Sequence, residues 1–514
     1  MSQETRTRPR RRETARPGAG GPERSVRYRH LINPFTPVRV FSDDQVESIH
    51  VAALELLERQ GMRMLSPRGR AVLAAAGATV DETTQMVRVE RGLVTSALAS
   101  VPEQVELRAR NPARSCRIGG PNVVFAPVAG PPSVSDLQRG KRSGTIADYR
   151  DWVRASQAFD VVHVLGQMVE PQDVGIAVRH LDTTLAQLTL GDKVPYFYCR
   201  GDGQIHDCFA MLAIALGLTE AELMQQPACY SICNTNSPLQ LDLPMTDGII
   251  EFATHGQLVI ITPFTLAGAM APVTIAGALT LAHAEALLGI ALAQIVRPGA
   301  PVMYGSFTSN VDMKSGSPAF GTPEYAKAAF GAGQLARHIR VPWRSSSATA
   351  SNAPDAQAAY ESQMSLWGAL LGGCNFILHA AGWLEGGLTA SCEKFILDVE
   401  MLQMFAEIFQ PVMVSSEEIG LDAVAEAGPG GHFFATAHTM QRYRDAFYTP
   451  LVSDWRNFGT WAQDGARTAT ERANRVWHDT INGFQPPPLD PAVQEALGEY
   501  AERRRGEGGA PPVS

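Results

Sequence analysis

The sequence predicts an α/β protein built on a (β/α)8 TIM barrel, with a helical lead-in before the barrel and a helical extension after it. From Asn122 onward the chain carries eight short apolar runs, and amphipathic stretches separate most of them. The runs lack the alternation of a half-exposed strand, which is typical of parallel strands covered on both faces. An open doubly wound sheet is the alternative, but the count of eight favours the barrel.

The predicted strands share an apolar core that ends in turn-forming, polar or aromatic residues. They are VVFAP (123–127), VVHVLG (161–166), PYFYC (195–199), ACYSIC (228–233), LVIITPF (258–264), PVMYGS (301–306), RVPWRS (340–345) and NFILHA (375–380). Helical patterns such as PEYAKAAFGAGQLARHI lie between them. We therefore place the barrel at residues 121–395.

The segments outside the barrel have a different composition. Residues 1–28 are rich in Arg, Pro and Gly, so we predict a disordered tail, with a transit peptide or a nucleic-acid arm as the alternative. Residues 30–120 predict a helical lead-in, with Asp43 or Asp44 at its first N-cap. We predict a C-terminal helical extension at residues 396–505 and a second disordered tail at residues 506–514.

The composition is that of a globular enzyme. The chain has 514 residues, 45% of them hydrophobic, and a net charge of -8, which offers no general field for nucleic acid or an anionic membrane. Every long apolar region contains charged or helix-breaking residues, so we predict no membrane span; residues 258–296 predict a strand and a buried helix. Seven cysteines without a secretory signal indicate reduced thiols and a cytoplasmic protein.

The common catalytic and cofactor signatures do not occur in the sequence. HExxH, Walker A, GxSxG and CxxC are missing, and we expect no metal site. GAGQLA (331–336) fits the GxGxxA pattern, but it lies inside a helical pattern, and we interpret it as helix packing by small residues. Cys229 and Cys233 share a predicted strand, and we interpret them as core residues in preference to a metal pair.

Polar and aromatic residues collect where the predicted strands end, which is where barrel enzymes place their chemistry. The residues expected near one mouth are Tyr304, Phe307, Asp312, Arg344, Asn352, Asp355, Gln357, His379, Trp383 and Glu385. Aromatic faces attract a quaternary ammonium group, and arginine binds a carboxylate through two hydrogen bonds. The pattern therefore predicts a small ligand that is part cation and part carboxylate.

Several long motifs resemble the trimethylamine methyltransferase family of corrinoid-dependent enzymes. They are YGSFTSNVDMKSGSPAFGTPE, PDAQAAYE, AGWLEGGLTASCEKF and GPGGHFFATAHT, and the likeness spans about residues 35–505. The resemblance implies a (β/α)8 barrel that moves a methyl group from an amine to the Co(I) of a corrinoid protein. The chain lacks a D-x-H-x-x-G corrinoid motif, so the corrinoid (cobalamin) would arrive on a partner protein that docks over the barrel mouth.

One loop distinguishes this chain within the family. Founding members carry pyrrolysine in the loop before PDAQ, and that position falls at or near Asn352 here. The chain therefore resembles the non-pyrrolysine branch, whose members act on quaternary amines such as glycine betaine; proline betaine, carnitine and γ-butyrobetaine are alternative substrates. A non-catalytic betaine-binding barrel, or a betaine methyltransferase that uses tetrahydrofolate directly, are alternative functions. The sequence is compatible with a homo-oligomer and does not decide the oligomeric state.

The expected site residues fall into three groups. The loop residues with an expected catalytic role are Asn352, Asp355 and Gln357. The expected substrate-binding residues are Phe264, Tyr304, Phe307, Arg344, His379, Trp383 and Glu385. The residues expected at the docking rim for the corrinoid protein are Gly430, Gly431 and His432, for which a helix-capping turn is the alternative interpretation.

Overall fold

The computed structural model describes residues 28–513, which fall into two compact units. The larger unit contains residues 28–412 and 449–513, and the smaller unit contains residues 413–448. The N-terminal tail predicted at residues 1–28 lies outside the described residues except for Tyr28.

The predicted helical lead-in contains short strands as well as three helices. Its elements are β1 (Leu31–Ile32), α1 (Asp43–Arg59), β2 (Met62–Met64), α2 (Pro67–Ala75), β3 (Thr79–Asp81), β4 (Met86–Arg88), α3 (Arg91–Leu98), β5 (Val105–Leu107), a 3-10 turn (Pro112–Arg114) and β6 (Cys116–Ile118). These strands are two or three residues long, too short for an alternating pattern to show in the sequence. The N-cap of α1 is Ser42, in a capping box with Gln45, and not Asp43 or Asp44.

The central segment alternates strands and helices, as the sequence predicts. Its first part contains β7 (Asn122–Phe125), β8 (Ser133–Asp136), β9 (Gly140–Ser143), α4 (Ile146–Ala158), α5 (Arg179–Leu190), α6 (Asp202–Leu216), α7 (Glu220–Leu223), β10 (Tyr230–Thr235), β11 (Gln240–Leu241) and α8 (Leu243–Thr254). Its second part contains β12 (Leu258–Ala267), α9 (Ile275–Val296), β13 (Val302–Gly305), β14 (Phe307–Val311), β15 (Pro318–Ala319), α10 (Pro323–His338), β16 (Trp343–Ser346), α11 (Ala356–Leu371), β17 (Phe376–Leu378), β18 (Trp383–Leu384), a 3-10 turn (Glu385–Gly387), β19 (Thr389–Ser391) and α12 (Cys392–Ile408).

A curled, largely parallel sheet organises the central segment. Six of the eight predicted strands pair in parallel, in the order β7, β17, β16, β13, β12 and β10, and β14 continues beside the end of β12. The predicted strands at 161–166 and 195–199 form isolated parallel bridges only, between Val164 and Val194 and between Tyr196 and Tyr230. The observed fold is therefore a mixed α/β fold with a curled sheet.

The pleat of the strands separates two apolar cores. Val124, Tyr230, Ile260 and Met303 belong to the inner core, on one face of the sheet, which also contains Tyr196 and Phe376. The alternate residues of the same strands, such as Phe125, Ile261 and Tyr304, pack with the surrounding helices into a larger core, the outer core. Successive side chains of a strand point to opposite faces, so the sequence parity of a residue decides which core it joins.

Helix α9 is the most apolar helix of the described residues. By length and composition alone, its span Ile275–Val296 could cross a membrane, and most of its residues are buried inside the molecule. It contacts β12, α1, α3 and α8. This matches the predicted strand and buried helix at residues 258–296.

Small residues hold α10 close to its neighbours. A Cβ atom on Gly333 would lie 2.2 Å from the carbonyl oxygen of Gly372, and a Cβ atom on Gly331 would lie 2.6 Å from the Phe41 ring. The GAGQLA motif is therefore a packing surface within a helix, as interpreted from the sequence. All seven cysteines are free and buried, Cys229 and Cys233 among them.

The C-terminal part is mainly helical. The smaller unit contains α13 (Ser416–Ile419), α14 (Leu421–Ala427) and α15 (Ala437–Arg442), and the larger unit continues with α16 (Phe458–Gln463), α17 (Ala469–Asn482) and α18 (Pro491–Gly506). The residues after α18 differ from the expected disordered tail. Ala510 donates its N–H to the Ala177 oxygen at 2.8 Å, and Val513 donates to the Arg200 oxygen at 3.0 Å. These backbone bonds order a segment whose composition suggested disorder.

Candidate active site

Five of the predicted substrate-binding residues meet at or near the carboxyl-terminal halves of neighbouring strands. Phe264 on β12 is in register with Phe307 on β14, and Arg344 on β16 is in register with Phe376 on β17. His379 follows β17 directly, and Trp383 begins β18. The parallel register therefore carries residues that are far apart in sequence to one edge of the sheet.

The aromatic rings form a continuous cluster around Phe307. Its ring centroid lies 5.1 Å from that of Phe264, 5.7 Å from His379 and 6.0 Å from Trp383. His379 and Trp383 are themselves 3.9 Å apart. Phe320 stacks on Phe307 at 5.2 Å with an interplanar angle of 20°. Rings at these separations form a wall whose π faces attract a cation.

Arg344 is a buried cation without an anionic partner among the described residues. It is 1% exposed, and its Nε and Nη1 atoms have no hydrogen-bond partner within the described chain. Its guanidinium carbon lies 5.6 Å from the Phe307 ring centroid. Burial lowers the pKa of Arg344 to about 10, and the nearby hydroxyls of Tyr325, Tyr196 and Tyr230 oppose that shift. A buried charge without a partner is costly, so this arrangement is suited to receive an anionic ligand group.

A second unpartnered polar atom lies on the neighbouring strands. Thr262 Oγ1 is buried and has no hydrogen-bond partner in residues 28–513. A Cβ atom on Gly305 would lie 2.1 Å from that oxygen, and Gly305 is the register partner of Arg344. Only glycine at residue 305 leaves room for the threonine hydroxyl beside the strand that carries Arg344.

His379 is held in a fixed orientation. Its φ is +56°, a left-handed conformation that is uncommon for a residue other than glycine. Its Nδ1 atom lies 3.2 Å from the hydroxyl of Ser346. Burial, and secondly the charge of Arg344, hold the pKa of His379 well below its usual range. Burial therefore favours the neutral form of the imidazole beside Trp383.

Tyr304 and Glu385 are not part of this cluster. Tyr304 belongs to the outer core, where its hydroxyl is 3.1 Å from Nδ1 of His283 on α9. Glu385 accepts hydrogen bonds from Lys141 at 2.5 Å and Thr389 at 2.6 Å. Burial raises the pKa of Glu385, and these two bonds outweigh it and lower the pKa overall. Asp312 is exposed and accepts from Ser315 in the turn after β14.

The loop before α11 is organised by a residue that the sequence analysis missed. Glu361 accepts hydrogen bonds from the Thr349 hydroxyl at 2.5 Å and from the Ala350 and Ser351 N–H groups at 2.9 and 3.2 Å. Trp383 donates its indole N–H to the Thr349 oxygen at 3.1 Å. The loop is thereby tied to the aromatic cluster.

The three predicted loop residues have different surroundings. Asp355 is the N-cap of α11 and accepts from the Ala358 N–H at 3.1 Å. Gln357 donates to Glu361 at 2.8 Å. Asn352 is exposed. Asp355 and Gln357 thus contact the loop and the helix that follows it, and within residues 28–513 neither forms a hydrogen bond to the cluster around Phe307.

The predicted docking residues lie in the smaller unit. Gly430, Gly431 and His432 are exposed between α14 and α15. Gly430 has a φ of +73°, and the His432 ring centroid is 5.9 Å from that of Phe434. The segment is a glycine turn followed by exposed aromatic side chains, of which Phe434 is 83% exposed.

Comparisons with known proteins identify the family of this chain. The family model for trimethylamine methyltransferase (MTTB) matches residues 6–509. Glycine betaine methyltransferase of Desulfitobacterium hafniense (strain Y51) is 35% identical over 472 residues, which cover 91% of this chain and 98% of that protein. Trimethylamine methyltransferase MttB of Desulfitobacterium hafniense (strain DSM 10664 / DCB-2) is 30% identical over 475 residues, which cover 91% and 94%.

The crystal structure of the Methanosarcina barkeri monomethylamine methyltransferase (MtmB) covers 86% of this chain and 94% of its own, at 10% identity and a TM-score of 0.46. The match to the family model extends over nearly the whole chain, and so does the similarity to glycine betaine methyltransferase. On these two findings, the chain belongs to the trimethylamine methyltransferase family.

Proposed function

We propose that the protein transfers a methyl group from a quaternary amine that carries a carboxylate, with glycine betaine as the simplest substrate, to the cobalt of a corrinoid held by a partner protein. One observation carries the substrate class. Arg344 is buried beside the aromatic cluster, and its Nε and Nη1 nitrogens have no hydrogen-bond partner among the described residues. Trimethylamine has no carboxylate for this cation, whereas a betaine has both charges.

The two halves of a betaine match the two parts of the site. The carboxylate accepts hydrogen bonds from Arg344, and this pairing compensates the buried charge. The quaternary ammonium group lies against the faces of Phe307, Phe264 and Trp383. A fixed arginine and rigid rings orient one methyl group toward the open end of the strands, where the acceptor approaches.

The reaction requires little acid–base chemistry from the protein. The bond from the methyl carbon to nitrogen breaks, its electron pair stays on nitrogen, and the leaving group departs as a neutral tertiary amine. No proton is needed, which is consistent with a neutral His379 and with the structural hydrogen bonds of Asp355 and Gln357. Charge is neutralised as the methyl group moves, so exclusion of water by the aromatic cluster favours transfer.

The corrinoid is a co-substrate that a partner protein supplies. When bound, it supplies a reduced cobalt nucleophile that accepts the methyl group. The sequence lacks a D-x-H-x-x-G motif, which supports a separate carrier. The residues of this chain bind the amine, orient its methyl group and exclude water.

We further infer that the curled sheet closes into a (β/α)8 barrel. The bridges of Val164 with Val194 and of Tyr196 with Tyr230 connect the two short predicted strands to β10. The backbone N–H of His163 donates to the backbone oxygen of Phe125 at 2.9 Å, which connects the stretch at residues 161–166 to β7. Together with the six paired strands, these contacts support a ring of eight parallel segments in chain order.

A methyl-transfer assay tests the proposed function. The full chain is mixed with free cob(I)alamin and, in parallel, with glycine betaine, proline betaine, carnitine and trimethylamine. We expect the visible spectrum of the acceptor to change to that of the methylated form with a betaine and not with trimethylamine. Transfer from trimethylamine at an equal rate would contradict the role of Arg344 in substrate choice.

Omitting the corrinoid separates the proposal from its alternatives. Demethylation of a betaine with tetrahydrofolate alone would identify the direct folate enzyme. Calorimetric binding of a betaine without transfer to free cob(I)alamin, or to the corrinoid protein encoded nearest to this gene, would identify a binding protein. The proposal requires transfer that depends on the corrinoid.

A further inference from the structure

Two histidines and two glutamates face one another on the outer helices, away from the aromatic cluster. His206 lies on α6, Glu220 begins α7, Glu251 lies on α8, and His255 follows α8 as its C-cap. We propose that His206, Glu251 and His255, with Glu220 as a fourth ligand, bind a divalent transition-metal ion of the Zn²⁺ type.

The distances suit a small ion. One ligand atom from each of His206, Glu251 and His255 lies within 4.8 Å of the other two. His206 Nε2 is 2.7 Å from Glu251 Oε2, and His255 Nε2 is 3.6 Å from Glu220 Oε1. Zinc bonds of roughly 2.0–2.2 Å place tetrahedral ligand atoms about 3.4 Å apart, so rotamer adjustments of these side chains are sufficient. Two imidazoles with carboxylates favour Zn²⁺ over Ca²⁺ or Mg²⁺, which prefer oxygen ligands alone.

The surrounding hydrogen bonds orient the ligands. His255 Nδ1 lies 2.9 Å from the Glu251 carbonyl oxygen, an acceptor, so Nδ1 carries the proton and Nε2 keeps its lone pair. Metal-binding histidines characteristically make this kind of bond with their second nitrogen. Arg68 donates to Glu251 Oε1, which leaves Oε2 directed at His206. The carboxylate is thus fixed by Arg68 through Oε1, and Oε2 is the oxygen that faces His206.

The cluster is accessible and its charges are balanced for a divalent ion. A surface cavity of about 630 Å³ is lined by Arg68, His206, Glu220, Glu251 and His255, among others. The His206 side chain is 53% exposed, which gives an ion direct entry. Glu220 and Glu251 together match a charge of +2, and Asp202 lies 3.4 Å from Arg68. Bound metal would link α6, α7 and α8, which are successive helices with strands β10 and β11 between α7 and α8.

A zinc titration of the chelator-treated full chain tests this proposal. We expect one saturable Zn²⁺ site per chain by calorimetry, and at least about a 10-fold loss of affinity in both His206→Ala and His255→Ala, since loss of an outer-shell partner alone costs that much. His478→Ala, which removes an exposed histidine from α17, is the matched control and should bind as the original chain does. Cobalt(II) should give the visible absorption of a low-coordinate nitrogen and oxygen site, which the two cluster variants lose.

Three results would overturn the proposal. The first is no saturable binding, which would mean that the pairing of Arg68 with Glu251 excludes the ion. The second is unchanged binding in both cluster variants, which would place the ion elsewhere. The third is an equal loss in His478→Ala. Circular dichroism melting of each variant shows that it is folded, and the cobalt spectrum reports the ligand set independently of stability.

Discussion

Arg344 has the greatest expected influence on substrate choice of any single residue. Replacing it with methionine removes the only buried cation beside the aromatic cluster in residues 28–513, and a substrate carboxylate loses its charged hydrogen bonds. Such bonds contribute about 1.5–3 kcal/mol each, so we expect KM for glycine betaine to rise by roughly 10- to 100-fold. Steady-state kinetics with free cob(I)alamin measures the change.

Arg344→Met also has a matched control. Arg503 is exposed and paired with Glu507, and its replacement by methionine should leave KM unchanged. Methionine removes a buried unpaired charge, so the variant should fold at least as well as the original chain. Equal KM values for the two variants would exclude Arg344 from carboxylate binding.

Tyr304 is expected to matter for stability and not for the substrate. Its hydroxyl contacts His283 in the outer core at 3.1 Å. Tyr304→Phe removes one buried hydrogen bond, and we expect the free energy of unfolding to fall by about 0.5–1.5 kcal/mol with KM unchanged. Urea denaturation and betaine kinetics on the same variant measure both effects. A large rise in KM at unchanged stability would restore the role that the sequence suggested.

The sequence predicts which residue types lie at the strand ends, but it does not assign every one of these residues to the correct face of the sheet. Arg344 and Phe307 follow apolar runs closely enough for the sequence to place them at the mouth. Tyr304 follows Met303, whose side chain belongs to the inner core. Because successive side chains of a strand point to opposite faces, the side chain of Tyr304 points toward the helices. Phe320 directly follows the two-residue strand β15, and Tyr325 lies in the first turn of α10, so no apolar run in the sequence marks either residue.

The loop and the helix that follows it act as one element. Glu361 binds the loop backbone, and Asp355 caps the helix that carries Glu361. The sequence located this loop through its family resemblance and placed catalytic groups in it. In the structure, Asp355 and Gln357 form hydrogen bonds to residues of α11. These bonds depend on helix capping and side-chain geometry, which the spacing of residues in the sequence does not reveal.

Two substitutions at Asp355 separate capping from catalysis. Asp355→Asn keeps a good N-cap and removes the charge, so kcat and stability should stay close to those of the original chain. Asp355→Ala removes the cap, and we expect the free energy of unfolding to fall by about 0.5–2 kcal/mol. Urea denaturation and the methyl-transfer assay measure the two properties. A large loss of kcat in Asp355→Asn would show that the carboxylate takes part in the reaction.

For the molecule as a whole, the alternation of apolar runs and amphipathic helices was enough to predict the parallel α/β architecture. Six predicted strands pair as expected because each one is buried on both faces and reads as a continuous apolar run. The small mixed sheet of β11, β2, β4 and β3 was missed because its strands have only two or three residues each. The proposed metal cluster was missed because its ligands come from separate helices and match no standard motif.

Buried histidines make the stability of the whole fold sensitive to acid. Burial is the main cause that holds the pKa values of His163, His283 and His379 well below their usual range. An unfolded chain titrates these groups near pH 6.5, so below that pH the unfolded state binds more protons than the folded state. Their contribution is present above about pH 6.5 and is lost as the pH falls, by up to about 1.4 kcal/mol per pH unit for each histidine.

His283 allows this expectation to be tested at one position. It faces Tyr304, His50 and His338, and His338 lies 3.3 Å from Glu47. Urea denaturation between pH 7.5 and 5 should show a free energy of unfolding that declines with acid, and His283→Gln should reduce the slope. His478→Gln, at an exposed position, should leave the slope unchanged. If the free energy of unfolding of His283→Gln declined with acid as steeply as that of the original chain, the buried imidazole of His283 would not contribute to the acid sensitivity. Carboxylates that titrate at lower pH would then have to account for the decline.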